Sequence, residues 1–484
     1  MNAGGRRERG GRTRTPGPGR VSSARLVAYD VLRDVDNRDA YANLALPARI
    51  REARLDARDA ALATELAAGA LRGRGRYDRI IELASQRPID DIDSRTRNVL
   101  RLGAHQLLGM RTARHAAVHE SVELQRIVAN AKAAGFVNGV LRAIGRLDNA
   151  EWNAQIDEHT PDADAALAAR TSHPAWVIRA LRAALRAEGR AEEVDALLAA
   201  DNLAPRVQLA LLAGSGTDPE GAAERATAAG AKVTVTGPSP AGLELSGGDP
   251  VRAIEALAPG GLARVQDQGS QLAALVLSRS RPVRAGERWL DLCAGPGGKS
   301  ALLGAEALAA GASLRANEVA EHRAALVRRA VEPVSAAVEV VCHDGREAAA
   351  YGGSEVRFDR ILVDAPCSGL GALRRRPEAR WRKRPADLPE LTTLQDELLG
   401  AAADHVAEGG LLAYVTCSPH LAETRMVVDR VLRRRPELVE IDAREAVAAV
   451  ARIPLDLAGE NLSAQLWPHR HGTDAMFIAL LARR

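Results

Sequence analysis

Residues 288–300 read RWLDLCAGPGGKS, a short apolar strand-like run that breaks into a glycine-rich turn and then into a helix pattern. A run of this kind opens an α/β unit when strands and helices keep alternating behind it. The runs SLRANEV (313–319), VEVVCHDG (338–345), RILVDAP (360–366) and GLLAYVTCS (410–418) do so, each followed by a helix-like segment. The alternation predicts a Rossmann-like domain over 261–484, a parallel sheet with helices on both faces. Ligands of such sheets bind beyond the carboxyl ends of the strands.

Upstream the pattern changes twice. From 21 to 147, apolar residues recur at spacings of three and four, as in VSSARLVAYDVLRDV (21–35) and RNVLRLGAHQLLGM (97–110), which predicts an all-α domain. From 148 to 260 a helical part around HPAWVIRALRAALRAEG (173–189) leads into short runs, RVQLALL, AKVTVTG and GLELSG, divided by Gly, Pro and Ser turns. These predict a small connecting α+β region. Residues 1–20, MNAGGRRERGGRTRTPGPGR, contain nothing apolar enough to bury and are expected to form a disordered basic tail. The fold class is therefore multidomain.

A chain of 484 residues exceeds what one core usually organises. With 46% hydrophobic but only 3% aromatic residues, its cores must be built largely from Ala, Leu and Val. The balance of 66 basic against 62 acidic residues favours polyanionic partners only weakly. No run reaches the roughly 18–20 apolar residues that span a bilayer, and no secretory signal opens the chain, so a cytoplasmic protein without a membrane partner is expected. The four cysteines lack CxxC pairing and read as reduced thiols.

Three strand ends carry the elements of an adenosine site. Gly295, Gly297 and Gly298 let backbone come close to a ligand, while Cys293 stands where a phosphate-binding loop would need glycine, and Ser300 replaces the third glycine of a dinucleotide fingerprint. Glu318, about 20 residues on at the second strand's end, is placed to take ribose hydroxyls. Asp344 is placed to accept from an adenine amino group. S-adenosyl-L-methionine fits a set that lacks the phosphate motif.

The last two strands bring thiols to one cleft, Cys367 with Asp364 at one tip and Cys417 at the next. Carbon 5 of cytosine is a poor nucleophile. A thiolate adding at carbon 6 makes the ring an enamine that attacks a methyl group, and a base then removes the carbon 5 proton so that the thiol leaves. Asp364 would hydrogen-bond the base edge and stabilise charge developing at N3. Cys417 and His420 have ligand-like spacing for zinc, with His469 and His471 later in the chain, but they form no closed set of four ligands, and no metal is expected.

The blocks LDLCAGPGGKS, ILVDAPCSGLGALRRRPEARW, YVTCSPHLAET and LWPHRHGTDAMFIALL closely resemble the signatures of RNA 5-methylcytosine methyltransferases, and VQDQGSQ (265–271) resembles the block before their cofactor loop. The VNGVLR element (137–142) and the helices before it resemble the antitermination protein NusB. Together the layout resembles the ribosomal RNA small subunit methyltransferase B family. That resemblance implies a class I S-adenosylmethionine-dependent domain, rRNA processing on a cytosine of 16S rRNA, Cys417 as nucleophile and Cys367 as the releasing thiol. It also implies cofactor contacts from Cys293, Ala294, Gly295, Pro296, Gly297, Gly298, Lys299, Glu318, Arg323, Asp344 and Asp364, without a required oligomer. Two departures stand out: Gly295 replaces an alanine, a mild change, and Ala422 replaces one of two paired acids, leaving Glu423.

The stretch RRRPEARWRKRP (374–385) concentrates charge around Trp381, so Arg374, Arg375, Arg376 and Trp381 are expected to contact RNA. A flipped or single-stranded cytosine must enter the cleft. The rivals are a tRNA cytosine methyltransferase and a non-catalytic NusB-like RNA-binding or antitermination factor. Intact Cys367, Cys417, Glu318 and Asp364 argue against the second.

Overall fold

The computed structural model describes residues 21–248 and 250–484, so the expected tail at 1–20 lies outside the described residues. Contacts divide the chain into two units, Met1–Ala166 and Leu167–Arg484.

The first unit is helical, with α1 (Ser23–Arg38), α2 (Ala42–Glu52), α3 (Ala57–Arg72), α4 (Arg74–Ser85), α5 (Ser94–Leu108), α6 (Arg114–Val128), α7 (Ala134–Ile144) and α8 (Asn149–Glu158). Side-chain caps start several of them: Asp56 for α3, Asp93 for α5, and Asp148 in a reciprocal box with Glu151 for α8. Helix α5 is central, and its Arg101 grips both oxygens of Asp78 at 2.7 and 2.8 Å. A glycine lets α3 approach, since a Cβ on Gly69 would stand 2.0 Å from the His105 ring. Helix α8 also packs within the first unit. In α8, Trp152 and Ile156 are buried and the Trp152 indole donates to the Ile144 carbonyl at 3.0 Å.

Helix α9 (Ala163–Thr171) leads into the second unit, where α10 (Ala175–Ala187) and α11 (Val194–Asp201) precede a small antiparallel sheet. Its strands, β1 (Val207–Leu211), β2 (Lys232–Thr234), β3 (Gly242–Gly247) and β4 (Ala263–Val265), lie in the order β2-β3-β1-β4, with α12 (Pro219–Ala228) and α13 (Pro250–Leu257) between them in sequence. The fourth strand comes from beyond 260, within the stretch that reads as catalytic domain.

After α14 (Gln268–Arg279) the main sheet begins: β5 (Arg288–Asp291), α15 (Gly298–Ala310), β6 (Ser313–Asn317), α16 (Glu321–Val331), β7 (Val338–Val341), α17 (Ala348–Tyr351), β8 (Phe358–Asp364), α18 (Ala379–Arg382), α19 (Leu388–His405) and β9 (Val406–Thr416). It closes with α20 (Arg425–Arg434), β10 (Leu438–Ile441), α21 (Ala443–Val450), β11 (Ala464–Gln465), α22 (Pro468–His471) and β12 (Phe477–Arg483). The order is β10-β12-β9-β8-β5-β6-β7. Five neighbouring strands, β7, β6, β5, β8 and β9, are parallel, and chain order reverses between β5 and β8, the position where ligands of such sheets bind.

The sheet is mixed where the sequence predicts it parallel, because β12 pairs antiparallel with β9, β10 and β11. The FIALLAR run of β12 is buried on both faces, and hydrophobicity does not encode strand direction. Successive residues feed opposite cores, Trp289 on one face and Leu290 on the other. Small side chains fill both, including Ala273, Ala274, Ala301 and Ala305 of α14 and α15, as the scarcity of aromatics requires.

The C-terminal segment is pinned by His471, whose Nδ1 accepts from the Trp467 amide at 2.8 Å while Nε2 faces the Asp456 carbonyl at 3.0 Å. Burial holds His471, and likewise His173, down to about 4. An unfolded imidazole titrates near ~6.5, so the unfolded chain binds more protons between these values. Stability is then complete above ~6.5 and falls toward 4, by up to about 1.4 kcal/mol per pH unit for each histidine. Urea unfolding at about pH 7 and about pH 5 should show a smaller midpoint loss in His471→Gln than in the unmodified chain.

Candidate active site at the strand ends

The turn after β5 is shaped by contacts that side chains would prevent. Gly297 has φ +102, and a Cβ there would lie 2.5 Å from Ala330 and 3.1 Å from the Val327 backbone. A Cβ on Gly295 would lie 2.1 Å from Glu318 Oε2. In its absence the Gly295 amide donates to Glu318 at 3.0 Å and Arg323 donates to the Gly295 carbonyl at 2.8 Å. Glu318, only 3% exposed at the end of β6, also accepts from the Ala320 amide at 3.2 Å. Asn317, which sequence reasoning missed, staples the neighbouring turns: its amide donates to the Leu292 and His343 carbonyls, both at 3.1 Å, and its oxygen accepts from the His343 amide. An Asn ending a strand beside an acid carries no motif of its own.

Lys299, buried in the first turn of α15, donates to Asp364 Oδ2 at 2.8 Å. Cys293, at the start of the same turn, packs against the core of Leu290 and Leu292, and burial pushes its thiol well up. Asp344, past β7, has both oxygens bound by Arg346 at 2.9 and 2.6 Å, which holds its carboxyl below the ordinary range. Ala294 is held through its amide, at 2.8 Å from the Asn317 carbonyl, and Pro296 and Gly298 complete the turn into α15.

Parallel pairing of β8 with β9 sets Asp364 opposite Val415 and carries both cysteines to one place, with Cys367 Sγ 3.5 Å from Cys417 Sγ. The two thiols are driven apart electrically. Cys417 is lowered, first by the hydrogen bond from the Cys367 thiol and further by the Lys299 charge, against burial and Asp364. Cys367 is raised well above the usual thiol range by that bond, by burial and by nearby negative charge. The two thiols of the pair are thus shifted in opposite directions, Cys417 down and Cys367 up.

Beneath the thiols is a buried carboxylate. Glu423 Oε1 accepts from the Ser368 amide at 2.7 Å and Gln395 at 3.2 Å, and Oε2 accepts from the Ser368 and Ser418 hydroxyls at 2.5 and 2.7 Å. On the other side, Gly371 donates to the Cys417 carbonyl at 2.9 Å and accepts from the Ala475 amide at 2.9 Å. A Cβ on Gly371 would stand 2.0 Å from the Ala475 oxygen, so only glycine fits there.

In the basic stretch, half-buried Arg374 donates to the Gly472 carbonyl at 3.2 Å, and Arg375, which stays exposed, donates to Asp474 at 2.8 Å. Asp474 is fully buried beside Asp267, which burial and Asp474 push up to about 6, and two carboxylates so enclosed require cations close by. Arg380 is buried as well and donates to the Ser172 and Asp201 carbonyls at 3.1 and 2.7 Å, fastening the stretch to the α10–α11 region. Arg376 stays exposed and Trp381 half-buried. Among the described residues, no group of three or more His, Cys, Asp or Glu could hold a metal ion. The Nε2 of His469 meets Glu193 at 2.7 Å, and His420 Nδ1 accepts from the Ala422 amide at 3.1 Å. No helix of the described residues is long and apolar enough to cross a membrane.

If Lys299 helps hold Cys417 as a thiolate, Lys299→Met removes that cation and leaves Asp364 uncompensated, and both changes raise the thiol. Site-resolved iodoacetamide labelling should show Cys417 becoming reactive at higher pH, by about one unit.

Known proteins share this architecture. A model described as 16S rRNA methyltransferase RsmB/F matches residues 281–482, and the NusB family model matches residues 22–146. A methyltransferase of Mycobacterium tuberculosis is 45% identical over 97% of this chain and 99% of its own. The ribosomal RNA small subunit methyltransferase B of Pseudomonas putida is 32% identical over 95% of this chain and 99% of its own. Among solved structures, PH0851 superposes with a TM-score of 0.75 at 22% identity, covering 95% of this chain and 98% of that one, a likeness of fold.

Proposed function

The chain belongs to the RsmB/F family of S-adenosylmethionine-dependent RNA methyltransferases, and from that membership we propose that it methylates carbon 5 of a cytosine in 16S rRNA, in the cytoplasm, through a covalent bond from Cys417. The observation that carries this reading is the 3.5 Å pair of inequivalent thiols at adjacent strand ends.

The residues around the β5 turn suit an adenosine-bearing ligand. Glu318 is a buried carboxylate already engaged with backbone amides at the end of β6, which makes it the partner for ribose hydroxyls, with Arg323 beside it. The 293–299 turn supplies close-approaching backbone, and Asp344 stands at the next strand end for the base. When bound, S-adenosylmethionine supplies a methyl group on a positively charged sulfur.

Cys417, as thiolate, adds to carbon 6 of the cytosine, and the ring electrons this releases make carbon 5 nucleophilic. Asp364 faces the base edge while Lys299, bonded to it, keeps positive charge beside the ring. After carbon 5 has taken the methyl group, its proton must leave so that the Cys417–carbon 6 bond breaks and the aromatic ring returns. Cys367 is proposed for this release: after giving its own proton to solvent, its thiolate takes the carbon 5 proton while the carbon 6–sulfur bond breaks and Cys417 leaves as a thiolate.

The cytosine reaches the cleft unstacked, with exposed Arg376 and half-buried Trp381 as proposed contacts to phosphate and base. Arg374 and Arg375 serve RNA indirectly, by holding the stretch that carries these two. The reaction itself requires no oligomer, since both thiols and the cofactor turn come from one chain.

Cys367→Ala protein incubated with small-subunit rRNA and S-adenosylmethionine should accumulate a covalent protein–RNA adduct on a denaturing gel, and Cys417→Ala should not. Adducts in neither variant, with no methylation by the unmodified protein, would count against the covalent route.

A further inference from the structure

Neither thiol contacts Glu423 directly, yet both of their loops end on it. Ser368 follows Cys367 and Ser418 follows Cys417, and the two hydroxyls, 3.0 Å apart, converge on the same carboxylate oxygen. Glu423 is fully buried, and the bond from Tyr414 to its carbonyl at 2.7 Å fixes its backbone to the middle of β9. Gln395 completes the arrangement from α19 by bonding both Glu423 and the Pro366 carbonyl at 2.8 Å, just before Cys367. Packing alone would not need this. A buried carboxylate is costly unless every donor around it is spent on it, and an apolar side chain would fill the same volume more stably.

We propose that Glu423 is a positioning residue for both thiols: by tying Ser368 to Ser418 it sets the separation of Cys367 and Cys417 and makes the two sulfurs inequivalent. The proposal rests on the assignment of Cys417 as nucleophile, but its mechanism is separate from the methyl transfer. The bond to Cys417 and burial raise Cys367, and the charge of Glu423 adds to them, whereas Lys299 lowers Cys417 against Asp364 and Asp474. The remaining charged and titratable groups facing the pair are Asp364 at the tip of β8, Asp474 and Arg375 beyond Gly371, and, on the Glu423 side, Tyr414 and His420. Of the acids among them, Glu423 is the one bonded to the loops of both cysteines. Loss of that charge, together with the hydrogen bonds it holds, should therefore change the relative acidity of the two sulfurs.

Two substitutions separate charge from shape. Glu423→Gln keeps the size and most hydrogen bonds of the side chain and removes the charge, whereas Glu423→Asp keeps the charge and shortens the reach. The full chain would be labelled with limiting iodoacetamide at neutral pH, without RNA or cofactor, and the ratio of Cys417 to Cys367 alkylation read by mass spectrometry. The unmodified protein should label Cys417 preferentially. Glu423→Gln should shift the ratio toward Cys367 by about tenfold, the equivalent of one unit in relative thiol acidity, and Glu423→Asp should stay nearer the unmodified ratio. An unchanged ratio in folded Glu423→Gln, verified by circular dichroism, overturns the proposal, since a purely structural carboxylate would not redirect labelling. The unmodified protein provides a second reading that depends on no variant. As pH rises, Cys417 should become reactive before Cys367, and coincident or reversed profiles also overturn it. Because none of these readouts involves methyl transfer, failure of the cytosine assignment would appear only in the RNA adduct assay and leave the labelling result intact.

Discussion

The parallel register of β8 against β9 is the constraint on which the site depends. It sets Asp364 opposite Val415, so that chains leaving the two strands bring sulfurs fifty positions apart in sequence to 3.5 Å. Slipping one strand by a single residue would turn every side chain to the other face and separate the pair. The register is held because both strands are central and apolar on both faces, with Ile361, Leu362, Val363, Leu412, Ala413, Tyr414 and Val415 all buried. Stability of the sheet and geometry of the chemistry are thus the same fact.

Around that pair lie several charged groups, buried or partnered with a buried one. Lys299 faces Asp364, Arg375 faces Asp474, and Glu423 faces four donors. Buried charges of this kind add little net stability compared with apolar packing. They do shape the local field, in which Lys299 lowers Cys417 against Asp364 and Asp474, while Glu423 adds to what raises Cys367.

Much of this was legible in the sequence, and for identifiable reasons. Alternation of strand and helix patterns placed the main sheet, and thiols and acids at strand tips marked the cleft, because side chains leaving a parallel strand at its carboxyl end have nowhere else to gather. Strand direction was not legible: β12 reads as an apolar run whichever way it pairs. The partners of the arginines at 374 and 375 were not legible for a similar reason. Charge is visible in sequence, but the buried Asp474 that claims Arg375 lies 99 positions away. Asn317 and Gly371 act through backbone contacts, which leave no composition signal. Glu423 was visible only as the survivor of an acid pair.

The central claim is that a thiolate makes carbon 5 of cytosine the methyl acceptor. Its most direct test is nucleoside mass spectrometry of 16S rRNA from a strain lacking this protein, after incubation with the purified chain and S-adenosylmethionine carrying a deuterated methyl group. The account predicts the label in 5-methylcytidine alone. Label in a ribose methyl group or in another base, or in N4-methylcytidine, would contradict it, since none of those products requires attack by a cysteine on the ring.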